Sequence, residues 1–371
     1  MSSTEHADVV IVGARCAGAA TAMLLARQGY RVVVLERARP GSDTVSTHAL
    51  MRGGTVQLRR WGLLDRLVAA GTPAVRQTRF HYGDETTTVP IGPVAGVDAL
   101  YAPRRTVLDR ILVDAAVAAG AEVRFGVNVT GLDRAPDGRV TGVAGRDRHG
   151  RPVRVGGRLT VGADGRRSLV ARETAAAVLR IGAGAGAVVY GYWAGLDVAG
   201  YEWYYRPGGT AGLIPTNDGE VCVFAGTTVR RFQREIAGDI RAGYLRLLKE
   251  VVGDALDAAE PPSRLRAYPG RPAYVRQPWG AGWALVGDAG HYLDPLGTHG
   301  ITDAFRDAEL LAHTAGLVLA GGRGRGARRV PGRTRPHRRA DVRPGGPDRQ
   351  LPVDAAGGAS AAAGAERGHE G

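Results

Sequence analysis

Asp8-Val9-Val10-Ile11-Val12-Gly13-Ala14-Arg15-Cys16-Ala17-Gly18 decides the fold. A short run of Val and Ile that ends at a glycine suits a strand buried in a parallel sheet. Ala17 to Gln28 then carries Ala, Met and Leu at helical spacing, Gly29 stops it, and Arg31 to Leu35 supplies a second β-branched strand. Strand, helix and strand in that order make a βαβ unit, which requires a right-handed crossover and a parallel sheet. The junction occupies the place of the dinucleotide fingerprint G-x-G-x-x-G. Gly13 serves the tight turn, Gly18 the close approach of the helix, and Glu36 closes the second strand with an acid able to accept ribose hydroxyls. The middle glycine is missing. Arg15 stands there, so either the backbone stands off from a pyrophosphate or the guanidinium contributes to holding it.

Further along, Val107 to Ala119 reads as a helix, Glu122 to Phe125 as a strand, and Thr130 to Arg154 as a strand-turn-strand ribbon. The character changes between Val188 and Thr228, where Tyr190, Tyr192, Trp193, Tyr201, Trp203, Tyr204 and Tyr205 interleave with β-branched residues and glycine turns. That pattern predicts an antiparallel sheet, followed by an amphipathic helix from Ile240 to Val252. Trp283 to Gly287 returns to the first pattern, a strand running into Gly287-Asp288, with a helix from about Ile301 to Leu319. Gly182 to Gly186 lacks a following amphipathic helix and reads as a linker. One nucleotide-binding domain is therefore interrupted by an inserted one.

The 371 residues, 44% hydrophobic, suffice for two cores. No apolar run approaches the roughly 18 residues of a bilayer span and no signal peptide opens the chain, which predicts a cytoplasmic protein without a membrane span. Cys16 and Cys222 fit no disulfide framework or metal spacing and read as reduced thiols. The net charge of +13 is lopsided: residues 321–371 hold 11 arginines against 5 acids, leaving +7 for the rest. Lys249 is the sole lysine, and no aromatics interleave with the arginines as a single-strand platform would need, so no specific nucleic-acid partner is expected.

Two further segments lie at telling positions. Gly162-Ala163-Asp164-Gly165-Arg166-Arg167-Ser168 resembles the DG motif, and Gly287-Asp288-Ala289-Gly290-His291-Tyr292-Leu293-Asp294-Pro295-Leu296-Gly297-Thr298-His299-Gly300 the GD motif, of class A flavoprotein monooxygenases with the p-hydroxybenzoate hydroxylase fold. Three motifs in this order span roughly the first 320 residues. The resemblance implies an α/β protein: a doubly wound, glutathione-reductase-type FAD-binding domain with an inserted mixed β-sheet substrate domain. The expected partition gives 1–74, 101–172 and 271–320 to the FAD domain, 75–100 and 173–270 to the substrate domain, and 321–371 to a disordered or aberrant tail.

Carried over by position, the resemblance implies FAD contacts from Gly13, Ala14, Arg15, Cys16, Ala17, Gly18, Glu36 and Arg37. Asp164 and Gly165 are expected near the pyrophosphate, with Asp164 linked to nicotinamide use. Gly287 and Asp288 face the ribityl chain, Pro295 the isoalloxazine, and Gly297, Thr298, His299 and Gly300 the flavin N1/O2 edge. Arg105 and Arg52 are the candidate FAD-contacting arginines. A glycine-rich turn opening a helix offers unpaired N–H donors and a dipole to an anion, and reduced flavin is one. Thr302 stands where the family often has asparagine.

The family's chemistry belongs to its cofactors: NAD(P)H reduces FAD, O2 adds at C4a, and the hydroperoxide passes one oxygen to a medium-sized organic substrate. His48 and His299 are the candidate acid–base residues. A hydrogen-bonded structural histidine competes with the first role, and a solvent-facing side chain with the second. The aromatics at 190–193 and 201–205 can wall a substrate pocket on only one face of their sheet. An FAD-dependent reductase of the prenyl-reductase type is the alternative. Halogenation is disfavoured, because no suitable lysine exists and Thr210 to Pro215 lacks the halogenase tryptophans. The tail holds too few apolar residues to bury a core, which suggests an out-of-frame end near Gly321 and an inactive copy, or an RNA-binding arginine segment. The oligomeric state is not legible.

Overall fold

The strand Glu5–Val12 lies inside an eight-stranded sheet, parallel to Val32–Glu36 on one side and to the long strand Pro152–Gly162 on the other. Glu122–Phe125 extends the sheet beyond Val32–Glu36, and Trp283–Leu285 extends it beyond Pro152–Gly162. In this computed structural model, which describes residues 5–321, side-chain alternation along the first strand feeds two different cores. Val9 and Ile11 pack with the helices Cys16–Arg27, Arg105–Ala118 and Gly300–Gly321. Val10 and Val12 face the other way, onto Val127, Val129, Val140 and Val143. Those residues belong to an antiparallel meander of Val127–Arg134, Val140–Asp147 and Pro152–Gly162, which takes the place of the expected two-stranded ribbon. Its third strand runs on, parallel to Glu5–Val12, straight into the Asp164 turn.

The second sheet has seven strands, in the order Arg266–Tyr268, Gly186–Trp193, Val221–Thr228, Gly209–Pro215, Tyr201–Arg206, Gln77–Tyr82 and Glu85–Pro90. It is mixed because Tyr201–Tyr205 runs parallel to Thr78–Tyr82. The helix Ile240–Val252, where its periodicity predicted it, covers one face through Tyr244, Leu247, Leu248 and Val251. The opposite face, with Tyr190, Tyr201, Trp203 and Phe224, closes over Ala49, Val75, Leu100 and Ala102. One strand departs from the expected partition. Val178–Ile181 pairs with Tyr274–Arg276, and that strand with His291–Tyr292, in a separate three-stranded sheet. The described residues pack as one compact unit. The readings of the tail fall, except for Gly321 at the end of its helix, outside the described residues.

Buried polar groups tie the layers together, because each must find a partner away from water. Asn217 donates to the carbonyl of Ala70 (2.9 Å) and the Thr72 hydroxyl (3.0 Å), while its Oδ1 accepts the Arg104 N–H (2.9 Å). Between helix and sheet, the Trp193 indole donates to the Tyr244 hydroxyl, which donates in turn to the carbonyl of Val223, both at 2.9 Å. Tyr244→Phe leaves the buried Trp193 indole N–H unpaired and is expected to lower stability by about 2 kcal/mol, read as a lower urea midpoint at unchanged slope.

Candidate functional site

The three glycine motifs meet through contacts that exclude a β-carbon. Gly13 has φ +102°, and a Cβ there would lie 2.5 Å from the carbonyl oxygen of Ala163. A Cβ on Gly18 would lie 1.9 Å from the carbonyl oxygen of Gly13. Gly287, at φ +57°, sets the third motif against the Cβ of Ala17, which a side chain would approach to 2.9 Å. Glycine is required at Gly13 and Gly18 because the atoms met there are backbone and cannot yield, and at Gly287 because of its left-handed φ and the Ala17 Cβ, which has no rotamer to move away in. The Glu36 carboxylate, 7% exposed, accepts the N–H of Ala14 and of Ala38, each at 2.8 Å, and so braces the first turn.

A cavity of about 1040 Å³ runs along this junction. Gly13, Arg15, Cys16, Ala17, Glu36 and Arg37 line it from the first motif, Asp164 and Gly165 from the second, Gly287, Asp288, Pro295, Thr298 and Gly300 from the third, and Arg105 from its own helix. Over the same space stand Val188 and Tyr190 of the seven-stranded sheet, with Tyr268, Tyr274 and Tyr292. Ala14 faces a neighbouring cavity of about 380 Å³, whose wall shares Arg15 and Glu36 with the first. Gly18 and Gly297 lie outside the large cavity's wall. Arg52 and His299 do not reach it either. Arg52 opens the helix Arg52–Arg60 but spends its guanidinium on the carbonyl of Val97, at 3.3 Å. His299, which follows the left-handed Thr298 (φ +55°), is exposed to solvent.

Burial governs the acids of the site. Asp164 accepts the N–H of Leu169 at 2.6 Å through Oδ2, while its buried Oδ1 has no partner among the described residues. Burial raises its pKa, against hydrogen bonds from Ser168 and Leu169. Asp288 is pushed up by burial too, with Arg166 and Arg105 opposing. The turn before the last helix is shaped by Asp294, whose carboxylate accepts the N–H of Leu296 (3.0 Å) and of Gly186 (2.5 Å). The Asp307 carboxylate accepts the N–H of Gly287 at 3.0 Å.

His48 is held in the left-handed region, φ +68°, and is 1% exposed. Its ring stacks on Tyr192, with centroids 5.6 Å apart and planes 14° apart, and meets Tyr190 edge-on. Nε2 pairs with the Tyr192 hydroxyl, and Nδ1 is buried without a partner among the described residues. The Arg104 guanidinium sits 3.6 Å over the Tyr192 ring. Burial first, then Arg105, Arg104 and Arg266, drives the His48 pKa well below its ordinary value of 6.5. The imidazole is neutral at physiological pH.

Sequence reasoning missed Asp109, which receives Arg15 (3.1 Å), Arg105 (3.0 Å) and the Cys16 thiol (3.1 Å). Its only sequence signal was its place four residues after Arg105 on one helix, the spacing at which side chains meet. Tyr268 and Tyr292, joined hydroxyl to hydroxyl at 2.8 Å with Arg166 4.3 Å over the Tyr268 ring, were missed as well. Cys16 and Cys222 are buried and free, and burial raises both thiols.

Residues 6–328 match the family described as FAD binding domain, and the chain belongs to it. It is thus an FAD-dependent oxidoreductase, and the class A monooxygenase resemblance agrees with the fold. Among relatives, a digeranylgeranylglycerophospholipid reductase of Methanocella arvoryzae is 27% identical over 339 residues, 84% of this chain and 77% of that protein. The aklavinone 12-hydroxylase RdmE of Streptomyces purpurascens is 30% identical over 357 residues, covering 87% of this chain and 64% of the hydroxylase. The fold is shared with the flavin-dependent brominase Bmp2, at a TM-score of 0.75 and 20% identity, over 85% of this chain and 80% of the brominase. No helix among the described residues is long and apolar enough to cross a membrane.

A depressed histidine pKa links stability to pH. Below about 6.5 the unfolded chain binds a proton at His48 that the native protein refuses, so native stability falls as pH drops through that value. Denaturant titrations between about pH 7.5 and 5.5 are expected to show a smaller loss in His48→Gln than in the wild type.

Proposed function

We propose that the chain binds FAD along the large cavity and, with NAD(P)H and O2, hydroxylates or epoxidises a medium-sized organic substrate lodged under Tyr190. The observation that carries the reading is a single space touching all three glycine motifs and, at the same time, the aromatic face of the second sheet. The residues fit the cofactor. Gly13 and Gly18 let the first turn pack closely against the Asp164 segment, Glu36 stands at the end of its strand for a ribose, and Asp164 has a buried oxygen without a partner among the described residues. The N-terminus of the helix Gly300–Gly321, behind Pro295 and Thr298, offers free N–H groups to the ring edge. When bound, FAD supplies hydride acceptance and oxygen activation, and the chain's part is to position groups and exclude water.

His48 suits a role at the roof. Neutral, locked between two tyrosines and carrying one unpaired ring nitrogen, it can exchange a proton with a substrate hydroxyl without competition from bulk water. Halogenation finds no support in the side chains. Lys249, the sole lysine, lies on the surface helix Ile240–Val252 and is occupied by Asp254 (2.5 Å) and Asp257.

Reduction of a prenyl double bond is the second reading, favoured by the reductase relative that aligns over most of both chains. The two separate cleanly. With candidate aromatic, polyketide-like and prenyl acceptors under labelled O2, oxygenation puts one labelled atom into product for each NAD(P)H consumed. A product that forms equally well without oxygen, two hydrogens heavier and unlabelled, refutes oxygenation in favour of the reductase.

A further inference from the structure

From the convergence of Arg15, Arg105 and Cys16 on one carboxylate, we infer that Asp109 is a positioning residue for the diphosphate of FAD, one that lets an arginine stand where the fingerprint has its middle glycine. That glycine exists so that the backbone can come close to the diphosphate. An arginine there obstructs the approach unless its side chain is led elsewhere. Here it is led. Arg15 Nη1 donates to Asp109 Oδ2 (3.1 Å) and to the carbonyl of Ser42 (3.2 Å), and Nη2 to the Ser42 hydroxyl (3.2 Å) and the carbonyl of Asp43 (3.3 Å). Of these four acceptors only Asp109 carries charge.

The same carboxylate takes Arg105 at both oxygens, from Nη2 at 3.0 and 3.1 Å and Nε at 3.2 Å, and the Cys16 thiol at 3.1 Å. Arg15 and Arg105 line the large cavity, whereas Asp109 belongs to the wall of the smaller one behind them. Two guanidiniums against one carboxylate leave a single positive charge facing the space where the diphosphate is expected. Side chains of Arg105 and Asp109 are 11% and 13% exposed, so that ion pair is shielded from the screening that weakens surface bridges, while Arg15, 30% exposed, reaches the same carboxylate from the more open side. This inference rests on FAD occupying the large cavity, not on which reaction follows.

The test is a double-mutant cycle on FAD affinity, measured by flavin fluorescence titration into apoprotein, with circular dichroism and the apoprotein thermal midpoint recorded for every variant. Asp109→Asn frees Arg15 to fall back over the turn, and FAD binding is expected to weaken about tenfold or more. In an Arg15→Gly background no side chain needs restraining, and the same Asp109→Asn change is expected to cost less than about threefold, the part carried by Arg105. Equal losses in the two backgrounds, or a loss under about twofold in both, overturn the inference. Should Asp109→Asn not fold, Asp109→Glu, which keeps the charge but moves it, enters the same cycle: a loss erased by Arg15→Gly supports the assignment and an unerased one refutes it. A wild-type protein that takes up no FAD overturns this inference together with the cofactor assignment, whereas uptake with an uncoupled cycle overturns this inference alone.

Discussion

Contact between backbones with nothing in between organises this protein. Gly13 sits against Ala163, and Gly18 against Gly13, at separations that a single methyl group would abolish. Everything the cavity offers depends on those contacts, because they bring the end of the first strand, the start of its helix and the Asp164 turn to one place. Gly287 extends the contact to the third motif through Ala17. The cost is conformational, since glycines lose more freedom on folding than other residues. It is offset by strands buried on both faces, Val9 and Ile11 toward the helices and Val10 and Val12 toward the meander.

Around this junction the chain places groups whose ionisation burial opposes. Asp164 and Asp288 are raised and His48 is lowered, each with burial as the first cause. Perturbed groups of this kind concentrate where chemistry is done. The separation of roles is spatial: acids line the floor built by the glycine motifs, and the neutral imidazole lies under the roof between Tyr190 and Tyr192. Cation–π contacts from Arg104 and Arg166 hold aromatic rings at both ends of that roof.

The arginine at the middle of the fingerprint shows how a motif can survive the loss of one of its letters. A side chain is tolerable there when three acceptor residues, Asp109, Ser42 and Asp43, keep it to one side. Such compensation comes from elements distant in the chain. Asp109 lies 94 residues from Arg15, so nothing in the sequence around Arg15 announces it.

What the sequence determined by itself is whatever depends on local conformation and period. The βαβ unit, the three glycine turns, the acid at Glu36 and the helix Ile240–Val252 were legible because turn chemistry and periodicity are written in neighbouring residues. The tertiary structure alone decided which side chains share a space. It turned Arg52 to the Val97 carbonyl and His299 to solvent, set His48 beneath a tyrosine pair, and gathered Asp109, Tyr268 and Tyr292 at the site. It also paired Val178–Ile181 with Tyr274–Arg276 and not with the larger sheet. Partners such as these are chosen by burial and by the demand that buried polar atoms be satisfied, conditions that exist only once distant segments have met.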